Sequence, residues 1–69
     1  MLNRESVEQF CFDVLGDFIY PENDIIIQEV RGGFRVIVTR LRGVPAEVIR
    51  DTWNENAKGT EFEQVSLYL

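Results

Sequence analysis

Asp24-Ile25-Ile26-Ile27-Gln28-Glu29-Val30-Arg31-Gly32-Gly33-Phe34-Arg35-Val36-Ile37-Val38-Thr39-Arg40-Leu41-Arg42 is the stretch that decides the fold, because β-branched residues crowd both sides of a diglycine. Such residues suit a pleated, half-buried surface, and glycine takes the positive φ of a tight turn at little cost. The spacing predicts two strands, 24–31 and 34–42, joined as a hairpin. Two registers compete. A two-residue loop pairs Arg31 with Phe34 and puts Ile25, Ile27, Phe34, Val36 and Val38 on one face. A three-residue loop with a glycine bulge pairs Val30 with Phe34, turns Ile26 and Val30 inward, and sets Glu29 opposite Arg35. The second is preferred, since an opposite-charge cross-strand pair is favourable. It leaves Ile25, Ile27, Ile37 and Leu41 on the less apolar face.

The segment before the hairpin predicts a helix. Asn3 is placed to cap it, with Leu2 and Val7 as a hydrophobic staple. Val7, Phe10, Cys11, Val14, Leu15 and Phe18 follow at helical spacing and mark one buried face. Phe12 and Ile19 fall off that stripe. Pro21 ends the helix, because the residue before a proline is driven out of the α region. After the hairpin, Pro45 opens a second helix at a first-turn position. Val48, Ile49, Thr52 and Trp53 form its inner stripe, and Lys58-Gly59 stops it. The alternation of Val65, Leu67 and Leu69 predicts a last strand over 61–68.

The order is α-β-β-α-β. A helical connection between the second and third strands implies that they run parallel. The expected architecture is therefore α+β, a two-layer sandwich with a three-stranded mixed sheet and both helices on one face, in a single domain spanning 1–69.

Composition narrows the chemistry. The chain has 69 residues, a net charge of -5, one cysteine and no histidine. Intrachain disulfides are impossible, and a tetrahedral zinc shell of nitrogen and sulfur ligands cannot be completed. Cys11 lies within an apolar stripe with no histidine to activate it, so it reads as a packing residue. Acid pairs such as Asp13/Asp17 lack the six or more oxygens that a hard cation wants. No phosphate loop, kinase or hydrolase signature is present. No cofactor and no small-molecule substrate is expected, and the chain reads as a non-enzyme. Acids among the first twenty residues rule out a signal h-region, no apolar run approaches a membrane span, and a lone thiol suits a reducing, cytoplasmic setting.

Charge is uneven. Residues 1–30 hold seven acids and one base, 31–50 hold five arginines and one acid, and 51–69 hold four acids and one base. The acidic balance argues against a general nucleic-acid binder. Arg35, Arg40 and Arg42 form a possible charged contact surface for phosphate or carboxylate, and Asp13 and Asp17 one of opposite sign; the plain structural alternative is internal pairing and a soluble sheet edge. The apolar surplus points further. With both helices on one side of the sheet, Ile25, Ile27, Ile37 and Leu41, joined by Phe12 and Tyr68, form a patch of the kind that marks interaction sites. The leading expectation is a protein-protein interaction module that self-associates through a sheet face or edge as a homo-oligomer. The alternative is a small acidic inhibitor, of the phage or mobile-element accessory type, whose acids stand in for phosphates and block a nucleic-acid-binding partner.

Overall fold

Asn3 begins the first helix. In the computed structural model, which describes residues 1–69, its Oδ1 accepts from the Ser6 N–H at 2.8 Å and its own N–H donates to Ser6 Oγ at 3.1 Å. This reciprocal cap satisfies two donors of the first turn. Helix α1 covers Arg4–Leu15. Val7, Cys11 and Leu15 are fully buried along it, with Phe10 and Val14 packed beside them. The helix stops three residues earlier than its stripe predicts. A turn through Gly16 and Asp17 re-aims the chain, so Ile19 is buried rather than off the core.

Pro21 does not end α1, which has already stopped at Leu15; it opens a second single helical turn, α2, Pro21–Asp24. Strands β1, Ile25–Val30, and β2, Gly33–Val38, follow as an antiparallel hairpin. The register is neither of the two expected. Val30 faces Gly33, and the two-residue turn is Arg31-Gly32. Only Gly32 takes positive φ there, at 88°, while Gly33 joins the strand. Glu29 therefore faces Phe34, and Arg35 faces Gln28.

The reason lies at the open end of the hairpin. The Asp24 carbonyl accepts the Thr39 N–H at 2.7 Å and the Thr39 hydroxyl at 3.0 Å. That clamp sets Asp24 against Thr39, and every pair down to the turn follows from it. A surface charge pair at Glu29/Arg35 is worth at most about 1 kcal/mol, too little to shift a register fixed by two hydrogen bonds at the open end of the hairpin.

Because side chains alternate along a strand, the register also corrects the faces. Ile25, Ile27, Phe34, Val36 and Val38 point inward, and Val36 and Val38 are buried. Ile25 and Ile27 are half-buried against the core, not on the outer patch, and Leu41 packs against the core beyond the end of β2. Ile26 and Val30 take their place outside.

Helix α3, Ala46–Ala57, follows Pro45 and buries Ile49, Trp53 and Ala57. Val48, expected on that stripe, stays exposed. The final strand is shorter than expected. Thr60 Oγ1 accepts the Phe62 N–H, and Glu63 Oε2 accepts the Gly59 N–H at 2.9 Å, which winds Glu61–Gln64 into a 3-10 turn. Strand β3 is Ser66–Tyr68 alone. The 3-10 turn places Phe62 in a stack on Phe10 at 4.1 Å, and Phe10 meets Trp53 edge-on at 4.8 Å.

The sheet has the order β1-β2-β3, with β1 and β2 antiparallel and β2 and β3 parallel. The core draws on α1, α3, the inner face of β2 and Val65. Both long helices therefore lie on one face of a three-stranded mixed sheet, the expected α+β arrangement.

Candidate interaction surfaces

Leaving one sheet face without helices has a direct chemical result. Ile26 on β1, Ile37 on β2 and Tyr68 on β3 are register partners, so they form one row across the outer face. Ile26 is 49% exposed and Tyr68 51%. The next row is Gln28, Arg35 and Ser66, followed by Val30 beside Gly33. Arg35 is the single charged side chain among these. Its guanidinium lies 4.9 Å from the Tyr68 ring centroid, and its Nη1 donates to Gln28 Oε1 at 3.4 Å. These contacts hold it against the sheet, and it is the one charge on the face, with no ion-pair partner. Ile37 and Tyr68 thus stand where the sequence placed them, whereas Ile25, Ile27 and Leu41 belong to the inner side.

A second open region lies along the free edge of β1. In an antiparallel pair every other residue turns its N–H and C=O away from the partner. Asp24/Thr39 and Val30/Gly33 are inward-bonded positions, so Ile25, Ile27 and Glu29 present backbone groups to solvent. Arg4 closes the middle of that edge, with Nη1 and Nη2 both donating to the Ile27 carbonyl at 2.8 Å. Beside it runs an open groove of about 350 Å³ between α1 and β1, floored by Phe12, Ile25 and Ile27 and rimmed by Arg4, Glu8 and Glu22. Phe12 is 45% exposed there. No signal in the sequence links Arg4 to Ile27, which are 23 residues apart.

The arginines do not form one surface, although Arg40 and Arg42 line one polar pocket with Asp24. Arg31 sits at the turn of the hairpin and Arg40 and Arg42 beyond its other end, about 20 Å away for a six-residue strand. Arg42 is an internal anchor. Its Nε and Nη2 donate to Asp24 Oδ2 and Oδ1 at 2.9 and 3.0 Å, and Tyr20 N–H donates to Oδ2 at 2.9 Å. Asp24, whose side chain is 2% exposed, has its carboxyl held below the ordinary range first by this Arg42 bond, against the opposing cost of burial, with the Tyr20 N–H assisting. Arg42 is correspondingly pushed up by Asp24. Its backbone adopts φ 56°, sterically costly outside glycine, so the fold spends strain to deliver this side chain. The Tyr20 ring covers the guanidinium at 4.6 Å. Arg40, Asp13 and Asp17 are exposed and make no ion pair; Asp13 Oδ1 accepts from Gln9 Nε2 at 2.9 Å.

Cys11 is completely buried. Burial first, then the Glu8 charge, pushes its thiol up to about 12, so almost no thiolate forms near neutrality. No three His, Cys, Asp or Glu side chains converge as a metal site, and no helix is long and apolar enough to cross a membrane. No protein-family model, no curated protein and no solved structure matches this chain.

Proposed function

We propose that this chain is a non-enzymatic interaction module that self-associates through the outer face of its sheet. The observation that carries the reading is the uncovered row Ile26, Ile37 and Tyr68, with Val30 nearby and one tied-down charge. Such a face suits a second copy. A two-fold axis along the row stacks each of the three side chains on its counterpart. The two Arg35 residues, each two positions from the axis, then lie about 13 Å apart, beyond the screening length at physiological salt.

Size sets the strength. Two strands of six residues and one of three cover roughly 240 Å² on each copy, well below the ~800 Å² per partner of a stable standard interface. Were all of it apolar, burying both faces would contribute about 12 kcal/mol, of the same order as the 4–15 kcal/mol cost of association. The module forms a weak, reversible dimer that assembles at tens of micromolar and above. A reducing cytoplasmic setting fits its single buried thiol.

Light scattering after size exclusion, across a concentration series from about 10 µM to 1 mM, tests this. The mass rises from 8.0 kDa towards twice that value, and Ile37→Asp returns it to the monomer with unchanged circular dichroism. A monomer at every concentration, or a dimer that survives Ile37→Asp, overturns the reading.

A second reading has its own support. Of twelve acids, only Asp24 and Glu61 are ion-paired, and Glu5, Glu8, Asp13 and Asp17 stand exposed on α1 and the turn after it. This array suits an inhibitor that occupies a basic nucleic-acid-binding surface. It requires binding to a basic partner that weakens with salt, and that drops when Asp13 and Asp17 are both changed to Asn. Binding indifferent to either removes it.

A further inference from the structure

The free edge of β1 and the groove beside it combine two features that strand addition uses: outward main-chain groups, and a side-chain trough between a helix and that edge. The trough has a definite chemistry. Phe12, Ile25 and Ile27 make its floor apolar, and Glu8 and Glu22 stand on its rim with no ion-pair partner. A second copy of this chain is a poor occupant, because pairing β1 with itself would crowd Glu8, Glu22 and Glu29 of both copies along one seam. Opposite charge is what the rim accepts.

We propose that the β1 edge captures an extended peptide segment of the pattern basic-x-apolar-x-basic, adding it antiparallel to β1, with Arg4 as the latch on that edge. In an antiparallel strand the residues that bond to β1 carry their side chains on the inner face, alongside Ile25 and Ile27. The central apolar side chain enters the trough, the basic side chains on either side reach Glu8 and Glu22, and the intervening residues point away. Arg4 must leave the Ile27 carbonyl before the incoming N–H can take its place. With the site empty, that same bond keeps the middle of the edge satisfied and discourages indiscriminate pairing.

The probe is a fluorescein-labelled peptide Lys-Thr-Val-Thr-Lys with blocked ends, titrated at low salt and followed by anisotropy. Replacing both lysines by glutamate abolishes binding. N-methylation of the valine, which faces β1, weakens it roughly tenfold, whereas N-methylation of the threonines leaves it unchanged. Arg4→Met tightens it severalfold by removing the competing donor. Ile37→Asp binds like the parent chain, which separates this edge from the outer face. Any of three results overturns the proposal: no binding by parent and Arg4→Met chains at 1 mM peptide, equal binding of the two N-methylated forms, or equal binding of the lysine and glutamate peptides. The second of these would leave a purely electrostatic attraction to α1, as the acidic-inhibitor reading expects.

Discussion

On the inner face of the sheet Val36 and Val38 of β2 disappear beneath α1 and α3, whereas on the outer face Ile26 and Tyr68, in the strands on either side, remain half exposed. Large apolar side chains stand on both faces, so their hydrophobicity alone does not decide which are buried. What distinguishes them is cover. Trp53, Ile49, Leu15 and Cys11 come down on one side, and nothing in the chain reaches the other. A large substitution on the inner face should therefore act on folding, and one on the outer face on association.

The largest break in this contrast is Trp53→Ala. Trp53 is 2% exposed and joins α3 to Phe10 of α1 through an edge-on ring contact. Truncating such a residue costs about 3–5 kcal/mol. A domain of this length has roughly 3–10 kcal/mol in total. Urea unfolding followed by near-ultraviolet circular dichroism should find this variant largely unfolded at 25 °C. A cooperative transition close to that of the parent would mean that the inner face is not the energetic centre.

Asp24→Asn is next. It keeps the shape but removes the charge that answers Arg42, at the clamp that sets the hairpin register. A fall in Tm of roughly 10 °C at pH 7 is expected, since about 1 kcal/mol moves the Tm of a domain this size by 4–8 °C. The pH dependence has a definite sign. The folded-state pKa of Asp24 lies below its unfolded value, so its contribution is complete above the usual carboxylate range and is lost as pH falls through the folded value. Between pH 7 and pH 2 the parent chain should lose this share of stability, and Asp24→Asn should not. Thermal melts at both pH values give the comparison.

These two sites also show why part of the fold was legible and part was not. The helical stripes and the strand composition follow from local periodicity, and the element order, the mixed sheet and the one-sided helices follow from those. The register does not. It is fixed by Asp24 against Thr39 and Arg42, fifteen and eighteen residues away, a contact with no local signature, while the turn offers two glycines of which only Gly32 needs positive φ. One wrong register exchanges faces, which is why Ile25 and Ile27 were expected outside and Ile26 and Val30 inside. Ile37 and Tyr68 escaped the exchange because their outward direction is the same in both registers. The Arg4 cap on Ile27 and the groove beside it depend on how α1 lies over β1, and that is visible only in three dimensions.

Cys11 sharpens the comparison from within the core. Its thiol is raised from 9.0 to about 12 by burial and by Glu8. The unfolded chain therefore deprotonates first, and the unfolded state binds fewer protons between those values. Stability must fall as pH rises above about 9, with a ceiling near 4 kcal/mol for the full shift. At pH 10.5 the expected loss is about 2 kcal/mol. Cys11→Ala removes this titration, so parent and variant urea midpoints should converge on going from pH 7.5 to pH 10.5. Parallel alkaline losses would mean that the thiol is less enclosed than its surroundings indicate.

The smallest effect belongs to the outer face and tests the comparison most directly. Ile26→Thr keeps a β-branched residue on β1 and touches no core side chain, so the stability of the monomer should change by no more than about 0.5 kcal/mol. At about 5 µM, where the chain is monomeric, parent and variant should melt within a few degrees of each other. A dimer of folded chains adds stability by mass action, about 1.4 kcal/mol at tenfold the dissociation constant. The parent Tm should therefore climb as concentration rises towards 500 µM, and the Ile26→Thr Tm should not. If both melts ignore concentration, Ile26, Ile37 and Tyr68 are a finished surface that water tolerates, and the difference between the two faces is one of cover without consequence for association.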